Sequence, residues 1–264
     1  MHKSKSLKKI ASMSVSERIH LAERKLDRLD AHLARLIQSN ANINMLVLSG
    51  RIASQIPESF AAHAYNSLQN DLVHYEVGRV VSIWDDVDYE KDSFPTIFAI
   101  LDGASVCRQV YRNQLRDEIR TSHGPYIIGA ENLDSDVVRN LERQSATWSR
   151  ERNRQNLVKY TKRARRLFYS TISSKRLESL RRYRDQLVAH NIDWELKDQE
   201  TTNTQPLDPV KYGQSGKLLR ISCSLSFALN IAFRSTDFPY KDRFEISKKN
   251  TDALWGGARF EGIR

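Results

Sequence analysis

Glycine and proline are scarce in this chain, ten and six residues in 264. So few backbone breakers argue against a strand-and-turn architecture and for long helices. The two cysteines, Cys107 and Cys223, have neither CxxC spacing nor the numbers for a disulfide framework, which places the chain in a reducing compartment. Its most apolar windows, "INMLVLSG" and "SLSFALNIAF", are too short and too polar to span a bilayer. The opening "MHKSKSLKKIASMSVSERIH" is basic without the apolar core of a signal peptide, so a cytoplasmic protein with no membrane partner is expected.

Several chemistries lack their residues. The histidines at 2, 20, 32, 63, 74 and 123 form no HExxH-type spacing, and no Ser/His/Asp set stands out, so no metal or cofactor is expected. "GQSGKLLR" echoes a phosphate-binding loop, but Lys211 replaces the first glycine and Leu218 follows the lysine where Ser or Thr is needed. "DVDYEKD" from Asp86 mimics a calcium loop, with Lys91 at the glycine position and Ile97 at the last carboxylate. It reads as a solvated acidic connection.

What the chain does have is helical periodicity and unevenly placed charge. Apolar residues make up 40% and charged ones 28%, a globular balance. Between Asp136 and His190, 15 Lys and Arg stand against 5 Asp and Glu; the remainder carries 27 of each sign. The whole net charge of +10 therefore sits on one segment, which suits a polyanionic partner. The competing reading is a solvated helix with a basic face.

Ser14-x-x-Glu17 is a capping box, and Ile19, Ala22, Leu26, Leu29, Leu33 and Leu36 follow at helical steps. A second helical segment spans Met45 to about Gln55. A third runs from Glu58 to about Asp85 with Phe60, His63/Ala64, Leu68, Leu72/Val73, Val80 and Trp84 along one stripe. Ser93 before Phe94-Pro95 starts another helix, and Gly103 breaks or weakens it. "ASVCRQVYRNQLRDEIR" is helical, with Val106, Val110 and Leu115 or Ile119 inward, and "SHGPYIIGAENLD" is a loop. A long helical stretch covers Asp136 to Tyr169, although "SRERNRQN" has no apolar residue and must be exposed, bound or broken. Ser173 or Ser174 caps a helix through Leu177, Leu180, Leu187 and Val188 to His190, and "KLLRISCSLSFALNIAF" forms a last one. The expectation is one all-α helical bundle over 1–264, with an extra N-terminal helix, a basic tail at 1–13 and a loosely ordered tail at 250–264.

The stretch "RRYRDQLVAHNI" carries the chemistry. An arginine and a histidine can cleave RNA without metal, because the 2′-hydroxyl is the nucleophile. A histidine titrating near neutrality moves the protons, and an arginine fork holds the charge growing on the phosphoryl oxygens. On a regular α-helix, Arg184 and His190 lie about 120° apart around the axis. Either the helix ends at Ala189 and frees His190 to turn back, or a two-fold dimer builds a composite cleft. The competing role for His190 is a cap at the negative end of the helix dipole.

"RDQLVAH" resembles the R-x(4–6)-H signature of the HEPN superfamily (higher eukaryotes and prokaryotes nucleotide-binding), with Asp185 as the polar residue after the arginine. "YRDQLVAHNID" with "IWDDVDYEKDSFPTIFAILDG" is similar to its AbiU2-like branch, associated with bacterial abortive infection. The resemblance implies a HEPN-like bundle and a homodimeric, metal-independent endoribonuclease, a toxin or antiphage effector paired with an antitoxin or defence complex. It also implies Arg184 and His190 as catalytic, with Asp185 orienting them. Some toxin members carry a modified tyrosine two residues after the histidine; here that residue is Ile192. Arg163, Arg165, Arg166, Arg181 and Arg182 are candidates for guiding RNA. Trp148, Tyr160 and Tyr169 are candidate stacking surfaces; the competing and favoured reading of the aromatics takes Trp148 and Tyr160 as core. The rival from another class is a catalytically silent helical module that binds nucleic acid or a protein partner.

Overall fold

A computed structural model describes residues 2–121, 134–188 and 213–260. Among these the chain is an all-α helical bundle of nine helices without strands. They are α1 (His2–Ser12), α2 (Val15–Ile43), α3 (Phe60–Ser82), α4 (Phe94–Leu101), α5 (Ala104–Thr121), α6 (Ser135–Ile172), α7 (Lys175–Tyr183), α8 (Gln214–Arg234) and α9 (Tyr240–Trp255).

The central helix is α2. Its capping box is formed in both directions, Glu17 N–H to Ser14 Oγ at 3.3 Å and Ser14 N–H to Glu17 Oε2 at 2.8 Å. Every residue of the expected stripe from Ile19 to Leu36 is buried. It packs against α3, α4, α5, α8 and α9. Each fully buried leucine, such as Leu26 or Leu33, contributes roughly 1.5–3 kcal/mol relative to exposure. Buried polar residues on α2 then choose its neighbours. Asp30 accepts hydrogen bonds from Ser226, from Asn230 Nδ2 at 2.8 Å and from Tyr240, which ties α2 to α8 and α9. Burial and this carboxylate push the Tyr240 phenol up, and the same two causes raise the Cys223 thiol, leaving it protonated and inert. Gly216 allows α8 to close on α2, since a Cβ there would come within 2.9 Å of Asn40 Nδ2. The glycine that echoed a phosphate loop is thus a helix-packing position inside α8.

Four expectations need correction. The basic segment 1–13 is not a bare tail: α1 occupies His2–Ser12 and buries Ile10. At the other end, α9 extends to Trp255. The segment after α2 is no regular α-helix but a π turn, Asn44–Leu48, and a 3₁₀ turn, Ala53–Gln55. In α3 the stripe begins on Tyr65, not Phe60 or Leu68, which are exposed. Tyr65 Oη and Gln69 Nε2 both donate to the Leu46 carbonyl, at 2.5 and 2.7 Å, and this sets which face turns inward.

Downstream, Ser93 and Ser174 cap α4 and α7 as expected. The helix α6 runs unbroken through "SRERNRQN" for 38 residues, about 57 Å at 1.5 Å per residue. Leu157, Ala164 and Phe168 turn inward from its C-terminal half, which packs along α8. No described side chain between 135 and 156 is buried.

Candidate active site and basic face

The connection between α3 and α4 is acidic, and three neighbours hold it in place. Lys25, buried on α2, donates from Nζ to the Lys91 carbonyl at 2.8 Å and to Asp92 Oδ1 at 3.2 Å. Arg28 grips the two Asp92 oxygens at 2.7 and 2.9 Å. Burial alone would raise the Asp92 carboxyl, but these two cations outweigh it and hold it below its ordinary value. From α1, Ser6 Oγ accepts from Tyr89 N–H at 3.0 Å. Trp84, fully buried, donates its indole N–H to Ser222 at 2.9 Å. The residue after that anchor is Asp85.

Asp85 faces Arg184. The helix α7 ends at Tyr183, and Arg184–Val188 form a π turn packed against α3. Arg184 donates from Nη1 to Asp85 Oδ1 at 2.6 Å and from Nε to Asp185 Oδ1 at 2.8 Å, with Nη2 also 2.8 Å from Asp185 Oδ1. Lys91 Nζ lies 3.2 Å from the other Asp85 oxygen. Burial opposes the arginine's charge, yet the two carboxylates more than offset it and its pKa is raised. A guanidinium has five N–H donors. Nε and Nη1 each donate one to a carboxylate, so Asp85 and Asp185 leave N–H groups on both Nη1 and Nη2, a pair suited to two phosphoryl oxygens. A short α-helix passing into a π turn is an arrangement often met at functional sites. It also departs from the α-helical spacing on which the 120° separation rested.

His190 lies outside the described residues, as do Ala189 and Ile192. Arg184 and Asp185 are brought together; Asp185 is exposed while Arg184 is mostly buried. Asp85 and Lys91 were missed as site residues. Both lie in "IWDDVDYEKDSFPTIFAILDG", the segment that carries part of the family resemblance, but nothing in one dimension pairs position 85 with 184. His74, on α3, places its ring 5.8 Å from that of Tyr183, next to Arg184.

The five candidate RNA-guiding arginines divide. Arg163 and Arg166 are exposed on α6, and Arg165 sits 3.9 Å from Asp102. Arg181 instead donates to the Trp84 carbonyl, bracing α7 against the end of α3. Arg182 pairs with Glu178 one turn back. The aromatics divide too. Trp148 is 75% exposed, against the expectation of core, and Tyr169 is 62% exposed. Tyr160 is half-buried, with its ring edge-on to Phe227 at 6.0 Å. Trp148, Arg152, Lys159, Lys162, Arg166 and Tyr169 follow one another at steps of four, seven, three, four and three along α6, all exposed. Such spacing makes one stripe with basic residues between aromatic ends.

Among the described residues no group of three His, Cys, Asp or Glu is placed to hold a metal ion, and no helix is long and apolar enough to cross a membrane. Comparison with family models, with curated proteins and with solved structures finds no match.

Proposed function

We propose that this protein is a metal-independent endoribonuclease of the HEPN type that acts as a toxin or abortive-infection effector. The observation that carries the reading is the Arg184 guanidinium, held by Asp85 and Asp185 through Nη1 and Nε, which leaves N–H groups on both terminal nitrogens for a phosphate. In the reaction, the 2′-hydroxyl attacks the adjacent phosphorus, and Arg184 neutralises the charge that grows on the non-bridging oxygens. His190 exchanges protons with the attacking or leaving oxygen, giving a 2′,3′-cyclic phosphate and a 5′-hydroxyl. A homodimer would supply two histidines, one as base and one as acid. The exposed basic stripe on α6 recruits the substrate through counterion release.

The test is cleavage of total cellular RNA and tRNA by the purified full chain in EDTA, with end-group analysis, for wild type, Arg184→Ala and His190→Ala. Cuts leaving cyclic phosphates and lost in both variants support the proposal. No cleavage, or cleavage unchanged in the variants, refutes it. The second reading is a silent nucleic-acid-binding module, favoured by the aromatic and basic stripe of α6 taken alone. It predicts salt-dependent RNA binding that survives both substitutions.

A further inference from the structure

A cavity of about 280 Å³ opens between α4, α5, α6 and α8. Phe98 and Phe168 form its aromatic wall, their rings stacked with centroids 4.0 Å apart. Ala99 and Cys107, both half-buried, line it as well. So does Thr161, whose buried hydroxyl has no hydrogen-bond partner among the described residues. Its rim is charged: Asp86 and Asp102 supply carboxylates, and Arg165 reaches in from the basic helix.

The location matters as much as the lining. Asp86 is on the cavity's rim, and Asp85, one residue back, holds Arg184. Consecutive Cα atoms are about 3.8 Å apart. Phe168 also stacks on Trp84 at 6.2 Å, so the cavity wall and the anchor of the Arg184 site share one aromatic cluster.

We infer that this cavity is a nucleobase subsite: it takes one base of the RNA strand whose phosphate sits on Arg184, and it prefers bases with an exocyclic amine. The inference rests on the reading of Arg184 as an RNA phosphate site. The volume is at the small end for ligand pockets and suits one flat ring system better than a large ligand. An aromatic wall accepts any base face, as in other single-strand binders. The selectivity comes from the polar groups. Carboxylates accept from an amino group and the threonine hydroxyl offers a further partner, so adenine, cytosine and guanine are favoured over uracil. Arg165 then lies where it can meet the neighbouring phosphate.

The test uses uncleavable 2′-O-methyl tetranucleotides of A, C, G and U, plus an abasic tetramer, with the full-length protein. Affinity is read by fluorescence anisotropy, and occupancy of the cavity by the rate at which iodoacetamide alkylates Cys107, Cys223 being buried. The amino-bearing tetramers should bind at least tenfold more tightly than the abasic chain and slow alkylation about tenfold at saturation. The U and abasic tetramers should slow it less than twofold. Ala99→Phe, which fills the cavity from a half-exposed position, and Thr161→Val should reduce affinity toward the abasic value and toward the U value respectively. Equal binding by all five tetramers, or discrimination unchanged in both variants with native circular dichroism, overturns the base site. Discrimination in a protein that leaves ordinary RNA uncut would retain the base site and remove the nuclease reading. RNA cleavage without discrimination would do the reverse.

Discussion

The Arg184–Asp85 pair joins the end of α7 to the end of α3 across 99 residues of sequence, and a double-mutant cycle measures what it contributes. Arg184 and Asp85 retain 22% and 19% of their side-chain exposure. Exposed ion pairs are worth about 0.2–1 kcal/mol. Removing one partner of a fully buried pair costs about 3–5 kcal/mol. This pair, mostly but not fully buried, short and hydrogen-bonded, should lie between these, with a coupling of about 2 kcal/mol. Asp85→Ala, Arg184→Ala and the double variant would be compared by equilibrium urea unfolding, followed by helical circular dichroism. The cycle cancels the separate loss of the Lys91–Asp85 contact, which Asp85→Ala removes with or without the arginine. Asp185 is 54% exposed, so its own pairing with Arg184 should couple by under about 1 kcal/mol. A coupling for Asp85 below about 0.5 kcal/mol, or one no larger than that for Asp185, would refute the account of Asp85 as the principal anchor.

Other consequences are open to direct measurement. Changing Arg163, Arg165 and Arg166 to Gln should weaken RNA binding and flatten the dependence of log K on log salt by about two, at roughly 0.7 per phosphate contact on a single strand; an unchanged slope would place RNA elsewhere. Trp148→Ser should alter stability by less than about 0.5 kcal/mol, because the ring is exposed, while costing roughly 1–3 kcal/mol of RNA affinity if a base stacks there. Burial raises the Glu76 carboxyl above its ordinary value, with hydrogen bonds from Asn40 and Ser215 opposing. The folded state then holds the proton more tightly than the unfolded one, so this stabilisation is complete below about pH 4.5 and is lost as pH rises through the folded value. Glu76→Gln should therefore gain in Tm relative to wild type as pH increases; a constant difference from pH 4 to 8 would contradict the shift. Asp30→Ala strands the donors of Ser226, Asn230 and Tyr240 and should cost about 3 kcal/mol or more, read as a lower urea midpoint.

The sequence by itself determined the helical elements whose information is local. Ser14 with Glu17, Ser93 before Pro95, Ser174 before Leu177 and the stripe from Ile19 to Leu36 are all read from residues within a turn or two of one another, and all take the expected form. It also marked Arg184 and Asp185, and it located the positive charge on one segment. Tertiary structure decided what depends on neighbours distant in the chain. The inward face of α3 follows from Tyr65 and Gln69 reaching the Leu46 carbonyl, a choice the apolar pattern Phe60–Leu68 could not reveal. Trp148 lies in the N-terminal half of α6, where no described side chain is buried, and only the packing of α6 could show that. Arg181 and Arg184 are near neighbours with the same charge, and only packing makes one a brace on Trp84 and the other the centre of an acidic cradle. Helix periodicity is a property of successive residues. The side chain that meets Arg184 is set by how α3 and α7 pack, through bonds spanning 99 positions.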